Sequence, residues 1–356
     1  MSIRHEIYGP LIVVLAGVGA WAPVPASGAD GNVKRDTLGA ELKSCPFKII
    51  CESYRDNNWE LVVMDVDGSH LTSLTNTPAV DEMYPHVSPD GTKVVFLTES
   101  GEGKNRTREV YFMNMDGTGR TKVSEDGRQP FWRPDGKAIA FARGTKEKDI
   151  EGAEANAGLF FYNIETLAIT SHPRQDVGGL LNPCWSSNGK WVISTVMQEM
   201  DIFFSICALE AQGGELVELR RSNTEEDRSW QCRPDLSPDG KHIAWGKEAV
   251  GKHMWVEVGD IDLNAAHPEV TNRRYVVTVD PPHETYHVDW SPDGRYIAFA
   301  QGAHASRMGR AAFVIGSRAK GWNIRVVNPS EPEVVVQITQ DGLSYKEPDW
   351  FVTSPK

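Results

Sequence analysis

The 356 residues are 40% hydrophobic and 24% charged, with a formal net charge of −12. Residues 1–29 hold one Arg and one Glu among their charges, so the remainder is just as acidic. Such a surface repels phosphate backbones and anionic lipid, which excludes nucleic acid and stable membrane insertion, and the apolar content suffices for a large core without disulfide staples.

The chain opens on a targeting pattern. Arg4 and His5 precede an apolar run from Leu11 to Ala22, and Ser27-Gly28-Ala29 offers a small-residue cleavage site. The run is too short for a permanent transmembrane helix. Residues 1–29 are therefore expected to be a signal peptide, and the mature protein to be periplasmic or secreted. Residues 30–45 read as an N-terminal linker, 46–352 as one folded domain and 353–356 as a tail.

The first strand pattern, Ile49-Ile50-Cys51, has no turn phrase before it. Further on, one phrase recurs: Tyr84-Pro85-His86-Val87-Ser88-Pro89-Asp90-Gly91, then Gln129-Pro130-Phe131-Trp132-Arg133-Pro134-Asp135-Gly136, then Asn182-Pro183-Cys184-Trp185-Ser186-Ser187-Asn188-Gly189. It returns as Arg233-Pro234-Asp235-Leu236-Ser237-Pro238-Asp239-Gly240 and His287-Val288-Asp289-Trp290-Ser291-Pro292-Asp293-Gly294, and ends without the turn as Glu347-Pro348-Asp349-Trp350. In each Pro-Asp-Gly, Pro presets φ, Asp tolerates the bend and Gly takes the left-handed position, so the tripeptide is a hairpin turn rather than a catalytic element. Alternating strands follow the turns: Val94 and Phe96, Ile139 and Phe141, Val192, Ile243 and Trp245, Ile297 and Phe299. Third strands begin near Leu61, Val110, Leu159, Phe203, Met254 and Ile324.

Repetition at about fifty residues with strands between the copies means a repeat array, most often a propeller. Six inner and six second strands give an all-β, six-bladed β-propeller of four-stranded antiparallel blades. The copy that lacks a following strand, at Asp349-Trp350, complements the strand that lacks a preceding phrase, at Ile49. Joining them closes the ring and removes the sheet edges an open array would expose.

The Ser-Pro-Asp-Gly phrase and the strand behind it resemble the propeller repeat of the TolB-like family over residues 46–352. The resemblance implies a periplasmic or surface protein that binds other proteins without catalysis. TolB itself carries an α/β domain ahead of its propeller, for which residues 30–45 leave no room. Propeller-fold oligogalacturonate lyases have related repeats and a channel-mouth metal held by histidines; His86, His283 and His287 approach the corresponding region, although those enzymes have seven blades. No nucleophile elbow and no Ser/His/Asp spacing is present. The expectation is a non-catalytic, monomeric protein that binds an envelope or extracellular protein, or else an acidic polysaccharide, with a metal-dependent lyase as the alternative.

The short hairpins share one face of the disc, and the variable connections, including 98–108, 143–157, 300–322, 171–181, 221–232 and 280–286, share the other. Irregular loops on a rigid scaffold usually carry binding. Loop 300–322 holds Arg307, Arg310, Arg318 and Lys320 with no acid, a dock for an acidic partner or a polyanionic sugar; Trp230, His86, His283 and His287 complete the candidate ligand contacts. Asp235, Asp289, Asp349 and His86 occupy one register in four consecutive blades, an arc expected near the loop-face mouth of the channel. Carboxylate oxygens suit a divalent cation such as Ca²⁺, whereas Asp also caps backbone N–H groups readily. Asp65-x-Asp67-Gly68 imitates a calcium loop but reads as a hairpin, since Asn76 stands where the closing Glu belongs. Of five cysteines, Cys51 replaces the Phe of other blades and belongs to the core, and Cys184 and Cys232 open adjacent inner strands where they could pair. No CxxC is present, which disfavours zinc.

Overall fold

The computed structural model describes residues 29–353 apart from 102–105, 145–155, 175, 178, 197–204, 223–229, 250–252, 279–282 and 304–320. Among the described residues twenty-four strands form six four-stranded sheets, here blades I to VI: β24 (Ser344–Val352), β1 (Phe47–Arg55), β2 (Asn58–Asp65) and β3 (Thr72–Ser73); β4 (Asp81–Val87), β5 (Lys93–Ser100), β6 (Thr107–Asn114) and β7 (Thr121–Ser124); β8 (Arg128–Trp132), β9 (Ala138–Gly144), β10 (Asn156–Asn163) and β11 (Ile169–Ser171); β12 (Leu180–Trp185), β13 (Trp191–Val196), β14 (Ser205–Glu210) and β15 (Leu216–Arg220); β16 (Trp230–Leu236), β17 (His242–Ala249), β18 (His253–Asp260) and β19 (Thr271–Val277); β20 (His283–Trp290), β21 (Ile297–Ala303), β22 (Asn323–Val327) and β23 (Val335–Gln337). The inner strands are β24 (Ser344–Val352), β4 (Asp81–Val87), β8 (Arg128–Trp132), β12 (Leu180–Trp185), β16 (Trp230–Leu236) and β20 (His283–Trp290). As the two orphan sequences require, β24 pairs antiparallel with β1 (Phe47–Arg55), Ile49 opposite Trp350. Blade I is thus built from both ends of the described chain.

The core lies between the blades. Six apolar clusters are present, and each contains one residue of the repeated Trp position: Trp350, Trp132, Trp185, Leu236, Trp290 and Val87. A large side chain there fills the wedge between neighbouring sheets, whose facing surfaces pack about 10 Å apart. The Pro-Asp-Gly and Ser-Asn-Gly turns are hairpins, with Gly91, Gly136, Gly189, Gly240 and Gly294 all near φ +70°. In the first, the Asp90 carboxylate accepts from the Thr92 N–H and the Ser88 hydroxyl, so it is consumed locally. The Asp65–Gly68 segment is likewise a turn, closed by a Gly68 N–H to Asp65 C=O bond.

The segment read as a linker contains a helix, α1 (Ala29–Lys43). Leu38 and Leu42 bury into the cluster between blades VI and I, and the Glu41 carboxylate accepts from the Tyr296 hydroxyl (2.7 Å) and Arg295 (3.2 Å). With only Val33, Leu38 and Leu42 as large apolar residues, α1 has no apolar stripe; its order comes from docking rather than amphipathic periodicity. All five cysteines are free, so Cys184 and Cys232 do not pair, and Cys51 is fully buried as expected of a Phe substitute.

Candidate functional site: the channel wall

Every inner strand carries a bulge at the same register. Tyr84-Pro85, Gln129-Pro130, Asn182-Pro183, Arg233-Pro234, His287-Val288 and Glu347-Pro348 each set two residues against one on the second strand. A proline has no N–H to give to the ladder, so a bulge is where an inner strand can hold one. The first residue of each pair lies in the left-handed region, with φ between +44° and +58°. Non-glycine residues there cost on the order of 1 kcal/mol each, so the surrounding contacts must impose the shape. Each bulge turns the residue at its start and the residue just after it toward the axis. The channel is therefore lined at two levels, one by Tyr84, Gln129, Asn182, Arg233, His287 and Glu347, the other by His86, Phe131, Cys184, Asp235, Asp289 and Asp349, around a cavity of about 90 Å³.

Five inner strands run from the interblade connections to the Pro-Asp-Gly or Ser-Asn-Gly turns, and β24, which pairs antiparallel with β1, runs in the same sense. The second level, only a few residues ahead of those turns, accordingly lies at the hairpin-face end of the channel. This corrects the expectation that the Asp arc marks the loop-face mouth: strand direction fixes its end of the channel, and the sequence phrase already ended in the hairpin.

Side chains at these levels fasten each blade to the next. The Val87 N–H donates to Asp349 Oδ2 (2.7 Å), the Trp290 N–H to Asp235 Oδ2 (2.8 Å) and the Trp350 N–H to Asp289 Oδ2 (2.7 Å). The Trp132 N–H reaches His86 Nδ1 at 3.4 Å. Phe131 offers no acceptor and Cys184 only a weak sulfur one, and at those two interfaces the fastening moves to the bulge amide: the Asn182 N–H donates to Gln129 Oε1 (2.6 Å) and the Arg233 N–H to Thr195 Oγ1 (2.9 Å). All six interfaces of the ring are latched.

The first level also bridges the channel. Asn182 of blade IV lies 3.0 Å from His287 Nδ1 of blade VI and 3.5 Å from Glu347 Oε2 of blade I, and His287 pairs with Glu347. Arg233 sits 3.7 Å from the other Glu347 oxygen and stacks over the Tyr286 ring. Burial pushes the Glu347 carboxyl well above the usual carboxylate range, with Glu52 adding to the shift, and pushes His287 well below the usual imidazole range, with Arg233 and Lys346 adding. His287 is therefore neutral at neutral pH. At the second level, burial raises the Asp235 carboxyl to about 6 and Asp289 well beyond the ordinary range, the latter helped by Asp235 and Asp349, while burial also raises Asp349 against the pull of His86.

The three histidines suggested for a lyase-type centre are not brought together. His283 is exposed at the loop-face start of β20, His287 is buried at the first level, and His86 lies on blade II at the second. Trp230 opens β16 instead of lying in the preceding loop. Arg307, Arg310, Arg318 and Lys320 lie outside the described residues. Among the described residues, no group of three or more His, Cys, Asp and Glu side chains is placed to hold a metal ion; the arc residues are held instead as latches. Sequence reasoning missed Asn182, Arg233 and Glu347. Their common signal was a proline at one register of the repeated phrase, Pro183, Pro234 and Pro348, since a strand holds proline only at an edge or a bulge.

No protein-family model matches the chain. In the curated set it is 32% identical over 89 residues to a TolB homolog of Chlorobaculum tepidum, covering 24% of this chain and 19% of that protein. The chain matches about a third or less of the length of its curated relatives. Among solved structures it resembles TolB from Acinetobacter baumannii at 16% identity with a TM-score of 0.61, over 87% of this chain and 67% of that one. An oligogalacturonate lyase in complex with manganese matches at 13% identity with a TM-score of 0.50, over 83% and 73% of the two chains. The chain has the six-bladed propeller fold of TolB.

Proposed function

We propose that this protein is an exported, non-catalytic propeller that binds an envelope or extracellular protein through its loop face, with the basic cluster of Arg307, Arg310, Arg318 and Lys320 as a charged contact. The observation that carries this reading is the complete set of interblade latches around the channel. Six polar side chains are engaged with the backbone of the next blade, which yields a rigid disc suited to presenting loops. Export is supported by the Arg4-to-Ala29 targeting pattern; among the described residues no helix is long and apolar enough to cross a membrane. An acidic polysaccharide would meet the same basic cluster.

Crosslinking the mature protein in its native envelope, with identification of what it captures, tests the reading. Reversing charge at Arg307, Arg310 and Arg318 is expected to weaken capture and leave the melting temperature nearly unchanged. Capture that survives this change but is abolished by substitutions at the Pro-Asp-Gly turns would place binding on the opposite face. Cleavage of oligogalacturonate with added Mn²⁺ would replace the binding reading with the lyase.

A further inference from the structure

Away from the channel, an open groove of about 470 Å³ lies between β7 of blade II and the outer part of blade III. That volume falls within the roughly 300–1,000 Å³ of small-ligand pockets. Val123 lines it and is buried, and Ile169 stands 39% exposed beside it. The connection from blade II to blade III passes along the groove and is held tightly. The Ser124 hydroxyl donates to Asp126 C=O (2.6 Å), and a Cβ on Gly127 would come within 2.5 Å of the Val110 side chain. Glu125 and Asp126 are therefore exposed to the groove from a fixed backbone.

Blade III contributes the opposite charge. The Arg143 guanidinium on β9 lies 4.4 Å from the centre of the Phe160 ring and 5.8 Å from that of Phe141. Ring faces hold the planar fork in place without consuming its N–H donors. Among the described residues that guanidinium donates no hydrogen bond and forms no ion pair, and the Glu125 and Asp126 carboxylates have no ion-pair partner either. Lys122, the other cation of the groove, is by contrast engaged with Glu109 (2.7 Å). A planar fork with free donors suits a carboxylate, which it meets with two parallel bonds. A phosphate or a polyanion would gain the same bonds but meet repulsion from two acids. A ligand that carries a basic group beside its carboxylate complements both sets of charges.

We propose that the groove between blades II and III binds a peptide segment of mixed charge, its carboxylate held by Arg143, its basic side chain by Glu125 and Asp126, and an apolar side chain set against Ile169. The stacked guanidinium fixes the orientation of the acid, and the two carboxylates select against segments of a single sign. This site uses none of residues 300–322, and its test does not depend on the basic cluster.

The probes are labelled peptides with Glu-Val-Lys or Lys-Val-Glu at their centre, compared with Glu-Val-Glu and Lys-Val-Lys counterparts on the full mature chain by fluorescence polarisation. At least one mixed peptide is expected to bind and to weaken as salt rises, and both like-charged peptides to bind about tenfold more weakly or not at all. Arg143→Gln should lower affinity for the mixed peptide about tenfold, and Arg143→Lys, which keeps the charge but not the fork, by less, with the melting temperature of both close to that of the wild type. Glu125→Gln combined with Asp126→Asn should weaken the mixed peptide and strengthen the Glu-Val-Glu peptide, a reversal that loss of structure would not produce. Equal binding of all four peptides, no binding of either mixed peptide, or an affinity left unchanged by Arg143→Gln would overturn the proposal.

Discussion

Two halves of one channel wall solve the same problem with different chemistry. Where blades V, VI, I and II meet, the next blade's N–H is held by Asp235, Asp289 and Asp349. Where blades III, IV and V meet, Phe131 and Cys184 occupy that register, and Gln129 and Thr195 hold the bulge amide one step back. The backbone demands an acceptor at each interface because a buried N–H without one costs about 1–3 kcal/mol. It does not demand a charge, since Gln129 and Thr195 serve two of the six interfaces. The three aspartates act as latches, and burial beside one another raises their titration.

The harshest way to break the comparison is to remove the strand that joins both halves. Deleting residues 345–356 takes away nearly all of β24, exposes the β1 edge and opens the clusters between blades VI, I and II. The expected outcome is loss of cooperative unfolding by calorimetry; a truncated protein that melts like the intact one would contradict ring closure.

Single latches come next. Asp349→Ala should lower stability by about 1–3 kcal/mol by orphaning the Val87 N–H, and Gln129→Ala should cost a similar or smaller amount at Asn182. Chemical denaturation of the two variants compares the halves directly. A cost confined to the aspartate side would mean that the neutral latches are incidental.

Much of this architecture was legible in the sequence and some was not. The turns and blade count follow from Pro-Asp-Gly chemistry, which is local, and closure follows from the two orphan strands. The left-handed bulge residues share no side-chain chemistry, running from Tyr84 to Glu347, so only the prolines after them carried a signal. The helix α1 escaped because Leu38 and Leu42 alone anchor it. Latch partners such as Asp349 and Val87 are 262 positions apart and meet only once the ring is closed.

A smaller effect concerns pH. The Asp235 carboxyl titrates near 6 in the folded protein against 3.8 as its ordinary value, so the native state binds its proton more tightly. Its contribution is fully present below the unfolded value and is lost as pH rises through about 6. Asp235→Asn, which keeps an oxygen for the Trp290 N–H, should flatten the decline in stability over that window. Urea unfolding from pH 4 to 7 would show it; an unchanged slope would mean that other groups, such as Glu52 near 7, dominate.

The central claim, that the Asp arc latches blades rather than binding a cation, is tested most directly by calorimetry of the wild type and Asp289→Asn in chelator and in millimolar Ca²⁺. Latching predicts the same melting temperature in both buffers for each protein. A ligand held only by the folded state stabilises by roughly 2.7 kcal/mol at a hundred times its dissociation constant; a calcium-dependent rise of that kind in the wild type, blunted in Asp289→Asn, would contradict it.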